Sequence, residues 1–303
     1  MVQDRHDKHS VLGSFGSSLT KTNSLDRPPT LVHVGWMLDG RRDELRLATK
    51  DVVDGLALWP LWIRLGWNDI LQRYRRSVLG PFWLTVSMAV MVIALGVVYA
   101  EIFKITLRDF VPFLCIGLIV WGYFSTMLSE AGGLFTGSES YIKQVRLPYS
   151  IYVFRFVWSK VIIFAHNFAI YFCVVSYFQA WPGSAGLYAL PGFLILTLNG
   201  VLCSSYLGIV CARFRDIPQI VASFIQIVFF VTPIMWKPEL LGARSHLMTW
   251  NPFHHLIEIV RAPLLGQVPS LENYVAAGVI TAANLLVAAA FFSRFRARIA
   301  YWL

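Results

Sequence analysis

The sequence predicts an all-α integral membrane protein: six transmembrane helices, an N-terminal amphipathic interface helix, and outward re-entrant helices between spans five and six. Three observations carry that prediction. The 303 residues are 56% hydrophobic and only 14% charged, with a mean hydropathy of +0.58, whereas a soluble domain is about one quarter charged. The apolar residues gather into runs of roughly 20, the length a bilayer core demands of a helix. The Lys and Arg residues behind the net charge of +9 fall between those runs, as the positive-inside rule requires. They form no continuous basic face for nucleic acid.

Residues 1–50 are polar and Ser-rich, with a break at Pro28-Pro29, and are expected to be a disordered cytoplasmic tail. The run 30–37 is readable as a local strand. No apolar core of signal-peptide length precedes it. The membrane domain is expected over 51–303. Across 61–79, Ile63, Trp67, Ile70, Leu71, Tyr74 and Val78 recur at spacings of three and four, opposite Arg64, Gln72, Arg73, Arg75 and Arg76. A basic helix with tryptophan on its apolar face lies in the membrane interface.

Six spans follow, at about 82–100, 110–128, 151–178, 187–212, 217–236 and 274–293. Glu101, Lys104, Arg108 and Asp109 separate the first two, and a longer polar stretch, 129–148, separates the second from the third. Arg155 and Lys160 fall early in span three and are expected to snorkel to the interface. Span four carries Asn199, Gly200, Ser204, Ser205 and Gly208, residues that permit close helix approach. The turn Arg213-Phe214-Arg215-Asp216 leads to span five. The region 238–268 is too short and polar to cross a bilayer, yet too apolar for an ordinary loop; such backbone at membrane depth needs protein or water around it. Basic residues cluster before span one, between two and three, between four and five, and after six. Both termini are therefore expected in the cytoplasm, and 238–268 outside.

The chain is poor in catalytic patterns. Its four cysteines all lie in apolar runs and form no CxxC pair, the pattern of small packing residues. His254, His255 and Glu258 are the one tempting group, but HHLIE is not the HExxH zinc pattern, and interfacial polar residues are the simpler reading. A membrane-embedded transferase on lipid-linked sugars would need such a group as its site. There is no phosphate-binding loop and no ladder of intramembrane carboxylates, so transport energy must come from another chain. No cofactor or metal is expected on this one.

Several motifs occur in a telling order: Arg73 to Trp83 (RYRRSVLGPFW), Lys143 to Pro148 (KQVRLP), Arg213 to Asp216 (RFRD), then Phe229-Phe230 and Thr232 to Trp236 (TPIMW), then Asn251-Pro252-Phe253 with Glu258, Arg261, Leu265 and Gly266. With these motifs the chain, from about residue 60 to its end, resembles the permease subunit of ABC-2 type exporters, in the branch that exports lipid-linked polysaccharides such as O-antigen, capsule and teichoic acid. The tail is longer than the usual leader of that family. An ABC-2 exporter of a drug or small lipid is the alternative within the family.

The resemblance implies a homodimer of six-span permeases in the bacterial inner membrane, joined to two ATP-binding cassette subunits that hold ATP and magnesium. It implies that 138–148 docks on the ATPase, which makes Ser138, Glu139, Lys143 and Arg146 coupling residues, helped by Arg215 and Asp216 in the next cytoplasmic turn. Arg73, Arg75 and Arg76 are expected to attract a lipid pyrophosphate or to anchor the helix on anionic lipid. The channel and its outer lid are expected at Tyr123, Phe230, Pro233, Trp236, Asn251, Pro252, His254, Glu258 and Arg261, with hinges at Pro233 and Pro252.

Overall fold

The structure, a computed structural model, describes residues 29–75 and 82–303. It divides into two compact units, Met1–Arg42 and Asp43–Leu303, and the membrane helices all belong to the second. No strand occurs among the described residues.

Helix α1, Pro29–Ala57, opens on a proline whose fixed φ suits a first turn. Over 29–50 it stands where a disordered tail was expected, and over 30–37 where a strand was; residues 1–28 of the expected tail lie outside the described residues. The reason is local: 43–50 reads DELRLATK, a run of strong helix formers that polarity alone does not melt. Helix α2, Trp59–Arg73, falls on the amphipathic helix expected over 61–79, of which residues 76–79 lie outside the described residues. Gly66 and Ile70 are buried, while Trp59, Trp67 and Leu71 stay exposed. The predicted stripe is thus split between protein and surroundings.

Helix α3, Phe82–Phe103, precedes α4, Leu107–Ser129. Thr106 caps α4 by accepting from the Asp109 amide at 3.3 Å while donating to the Asp109 carboxylate at 2.6 Å. Short helices α5, Gly133–Thr136, and α6, Glu139–Gln144, fill the polar stretch before α7, Ser150–Phe178. A 3₁₀ turn, Gly183–Tyr188, leads into α8, Ala189–Arg213. Then come α9, Ile217–Val231, a 3₁₀ run over Pro238–Trp250, α10, Pro252–Leu264, α11, Leu271–Phe295, and α12, Ile299–Trp302.

Among the described residues five helical stretches are long and apolar enough to cross a membrane: Phe82–Phe103, Leu107–Ser129, Ser150–Phe178, Gly183–Arg213 and Leu271–Trp302. The expected fifth span stops early, at Val231 rather than Trp236. Pro233 has no amide to continue the helix, and Thr232 before it adopts extended backbone, φ −86° and ψ 138°.

Helix α4 is the central post, packed by α3, α7, α8, α9 and α10 and buried almost without interruption from Phe110 to Leu128. The small residues of α8 do what their sizes predict. Ser204 donates to the Met127 carbonyl at 3.1 Å, and Asn199 exchanges hydrogen bonds with Thr281 and Asn284 of α11 at 2.7 and 2.8 Å. The tightest approach was not legible in that pattern. A Cβ on Gly192 would lie 2.1 Å from the Ile259 carbonyl oxygen of α10, whereas one on Gly200 meets the flexible end of Met127. Gly192→Ala is therefore expected to lower stability by about 1–3 kcal/mol, the cost of overpacking. Gly200→Ala should cost less, because Met127 can move. Thermal unfolding in detergent reads both, and equal costs would contradict the geometry.

Candidate functional site

Two polar constellations stand out, at opposite ends of the motif order. The first begins where α9 stops. Thr232, with extended backbone, and the bend through Pro233 and Ile234, where the Ile234 amide donates to the Thr232 carbonyl at 2.7 Å, are all buried. Arg261 of α10, 0% exposed, donates its Nη1 to the Pro233 carbonyl at 2.6 Å and its Nε to Glu258 Oε1 at 3.0 Å. A second contact joins Arg261 Nη2 to the same carboxylate oxygen, and the guanidinium sits 4.2 Å from the Phe113 ring centroid of α4, a cation–π geometry. Asn251 caps α10 by accepting from the Phe253 and His254 amides at 3.0 and 3.3 Å, and its Nδ2 donates to Thr232 Oγ1 at 3.1 Å. The TPIMW and NPF motifs are thus one knot tied at two points, 19 and 28 residues apart in sequence.

Helix α10 is seated from behind as well. Tyr171 of α7 donates to the Leu264 carbonyl at 2.8 Å, and Gly117 of α4 leaves room for the Ile234 carbonyl, which a Cβ would meet at 3.0 Å. His255 is buried, its ring nitrogens 2.7 Å from Asn273 Oδ1 and 2.9 Å from the Thr249 carbonyl oxygen. His254 Nδ1 lies 3.9 Å from Glu258. His255 and Glu258 are therefore occupied in holding α10, whereas His254 Nδ1 is buried without a hydrogen-bond partner; among the described residues no group of three or more His, Cys, Asp or Glu is placed to hold a metal ion.

The expected lid residues divide accordingly. Pro233, Asn251, Glu258 and Arg261 form the knot. The carbonyl of Pro233, one of the expected hinges, is the acceptor for Arg261. Phe230 and Pro252 are exposed, Trp236 is half-buried with its Nε1 donating to the Phe230 carbonyl at 3.4 Å, and Trp250 is 84% exposed. Tyr123 does not belong here. It lies in the core, its ring 4.9 and 5.2 Å from Phe164 and Phe193 and its hydroxyl 2.8 Å from Thr197 Oγ1; a satisfied buried tyrosine lines no path.

The second constellation joins α2, α4 and α7. Lys160, 3% exposed, donates to Glu130 Oε2 at 2.5 Å, and Arg73 of α2 donates to the same oxygen at 3.2 Å. Arg155 grips Asp69 of α2 with its Nε at 2.6 Å and its Nη2. The expected snorkelling of Arg155 and Lys160 is corrected here: both turn inward, because a cation taken from water needs a carboxylate close by. A cleft of about 230 Å³ opens between these pairs, bordered by Ser138 and Gly137 of the α5–α6 segment. Burial works to raise the Glu130 carboxyl, but Lys160 and Arg73 outweigh it and hold it below the ordinary value.

Of the expected coupling residues, Ser138 is buried and donates to the Leu134 carbonyl at 3.1 Å; the rest lie nearer the surface. Glu139 pairs with Lys143 at 2.6 Å. Its carboxyl is held below the usual range by that hydrogen bond and charge, with Arg215 adding to them from the next turn. Arg146, Arg215, Asp216 and Arg75 are exposed; Arg76 lies outside the described residues. Asp69 and Glu130 were not singled out in the sequence. Their one signal is that each carboxylate must answer a cation inside an otherwise apolar segment, and sequence does not say which.

Comparison with known proteins follows the same geometry. Residues 60–265, which contain both constellations, match the family described as ABC-2 type transporter. The chain is 23% identical over 241 residues to the O-antigen export system permease protein RfbA of Myxococcus xanthus, covering 77% of this chain and 91% of that protein. It is 24% identical over 253 residues to an O-antigen export system permease protein RfbA of Klebsiella pneumoniae, covering 80% and 95%. The chain belongs to the ABC-2 type transporter family.

Proposed function

We propose that the chain is the permease subunit of an ATP-driven exporter that moves a lipid-linked, O-antigen-like polysaccharide across the bacterial inner membrane. The observation that carries this reading is similarity along nearly the whole length of proteins named O-antigen export system permeases. ATP hydrolysis belongs on a separate subunit, in keeping with a sequence that holds no phosphate-binding loop.

On this reading α9 and the non-helical Thr232–Trp236 together make the sixth span. Fifteen residues of helix rise about 22 Å, and the bent segment supplies part of the remaining depth of the roughly 30 Å hydrocarbon core. Non-helical backbone at that depth requires protein around it, and the buried Thr232–Ile234 supply that condition. The Pro238–Trp250 run and α10 then form a re-entrant lid, seated by the Arg261 knot. Two copies of the chain would line the path between them, with the apolar rows left exposed on α3 and α9 available to the partner copy and to lipid. Helix α2 lies in the inner interface, where the exposed Trp59, Trp67 and Leu71 meet lipid. Arg73 and Arg75 face the lipid-diphosphate end of the substrate.

The α5–α6 segment receives the ATPase. Reversing two charges at once, Glu139→Lys with Arg146→Glu, is expected to abolish ATP-driven export at wild-type membrane abundance. Wild-type export by that variant sinks the coupling assignment. Replacing Arg73 and Arg75 with glutamine should lower substrate-stimulated ATP hydrolysis severalfold. Unaltered stimulation would leave both arginines as plain anchors.

A further inference from the structure

The start of α7 is the joint between the α5–α6 segment and the membrane body, and its first turn has no cap of its own. Tyr149 holds the N-cap position and contributes no side-chain hydrogen bond. The cap comes instead from α1, about a hundred residues earlier. Asp51, 8% exposed, accepts from the Tyr149 amide at 3.1 Å and from the Ser150 amide at 3.0 Å, and the Ser150 hydroxyl donates to the Asp51 carbonyl at 2.7 Å. Arg296, just past the end of α11, donates to the same carboxylate at 3.4 Å and also to the Leu47 carbonyl. Gly55 makes the approach possible, since a Cβ there would lie 2.1 Å from Ser150 Oγ.

Between the Val52 and Leu56 face of α1 and helices α7, α8 and α11 runs an apolar groove of about 540 Å³. Ala48 packs into the core, and the hydrogen bonds between the described part of α1 and the body gather at Asp51 and Leu47. An uncapped helix frays in its first turn, and a frayed turn absorbs a displacement that a capped one transmits.

We propose that Asp51 is a positioning residue of the transport cycle: it caps α7 and locks that helix's first turn to α1 and the C-terminal segment, so that a push on α5–α6 moves α7 as a rod. This rests on the permease reading above. It assigns to the segment ahead of α2 a mechanical role that the carboxylate at position 51 performs.

Two measurements on the full chain test it. In nanodiscs, Asp51→Ala should speed hydrogen exchange at the Tyr149 and Ser150 amides roughly two- to thirtyfold, the range a lost cap produces, with the second half of α7 unchanged. In proteoliposomes with the partner ATPase and a lipid-linked polysaccharide, the same variant should hydrolyse ATP but export at least fivefold less per ATP. Asp51→Asn, which keeps one acceptor oxygen, should recover part of both losses. Unchanged protection of the two amides overturns the capping role. Faster exchange with undiminished export per ATP makes Asp51 a structural cap only, and overturns the positioning role. Failure of the permease reading is distinguishable, because it shows as no ATP-driven export by the wild-type chain before any variant is compared.

Discussion

Arg261→Ala is expected to destabilise the protein by about 3–5 kcal/mol, the cost of stranding one partner of a buried ion pair, and to abolish export. The side chain has no exposure, so nothing replaces it. Its loss leaves the Glu258 carboxylate and the Pro233 carbonyl without their donor, and takes away the cation over Phe113. The two consequences separate by design. Arg261→Met with Glu258→Gln removes the stranded charge and fills the space with apolar volume, a replacement that is often neutral for stability. That double variant should recover most of the thermal stability, yet the Pro233 carbonyl stays unpaired and the Thr232–Pro233 segment keeps the Asn251 hydrogen bond to the start of α10 without the Arg261 one. Export should therefore remain low in the double variant. Thermal unfolding in nanodiscs and export in proteoliposomes read the two effects. A single variant with the wild-type unfolding temperature contradicts the knot, and a double variant with full export reduces it to a stability device.

The same residues show how far a sequence carries a reading of this kind. The helical membrane architecture was legible because bilayer thickness turns hydropathy into geometry: the expected spans at 82–100, 110–128, 151–178, 187–212 and 274–293 all fall on long apolar helices, with ends shifted by a few residues. The span through 236 was misjudged at its end, since an apolar composition persists through Thr232–Trp236 whether or not the backbone stays helical. The motif residues Thr232, Pro233, Asn251, Glu258 and Arg261 were visible one by one. Their union was not, because a hydrogen bond from Arg261 to a main-chain oxygen leaves no mark in side-chain chemistry. Tyr123 was misplaced for the opposite reason: an aromatic residue reads alike whether it faces a path or stacks between Phe164 and Phe193. Asp51 lay at the very start of the expected membrane domain, ahead of the first helix read there, and the groups it caps are two backbone amides that carry no sequence signal at all.

The second large effect is expected at Glu130. Glu130→Gln should cost about 2–3 kcal/mol, less than the loss of a fully enclosed pair because Glu130 is partly open to solvent. The penalty falls on Lys160, whose ammonium is 3% exposed and keeps only a neutral amide in place of its carboxylate. Arg73→Ala removes the outer arm of the same cluster, and its guanidinium is half exposed, so it should cost only about 0–1 kcal/mol. The acid dependence gives an independent signature. The folded carboxyl titrates below the ordinary value of 4.5, so its contribution is fully present above that pH and is lost as pH falls through the depressed folded value. The wild-type protein should therefore lose stability on acidification where the Glu130→Gln variant does not lose this share, and the gap between them should close only at the acid end. Unfolding temperatures of both proteins between about pH 3 and pH 7 measure that gap. A gap that stays constant across the range would mean that the charge on Glu130 does not hold Lys160, and that the α2–α4–α7 clamp owes its strength to packing alone.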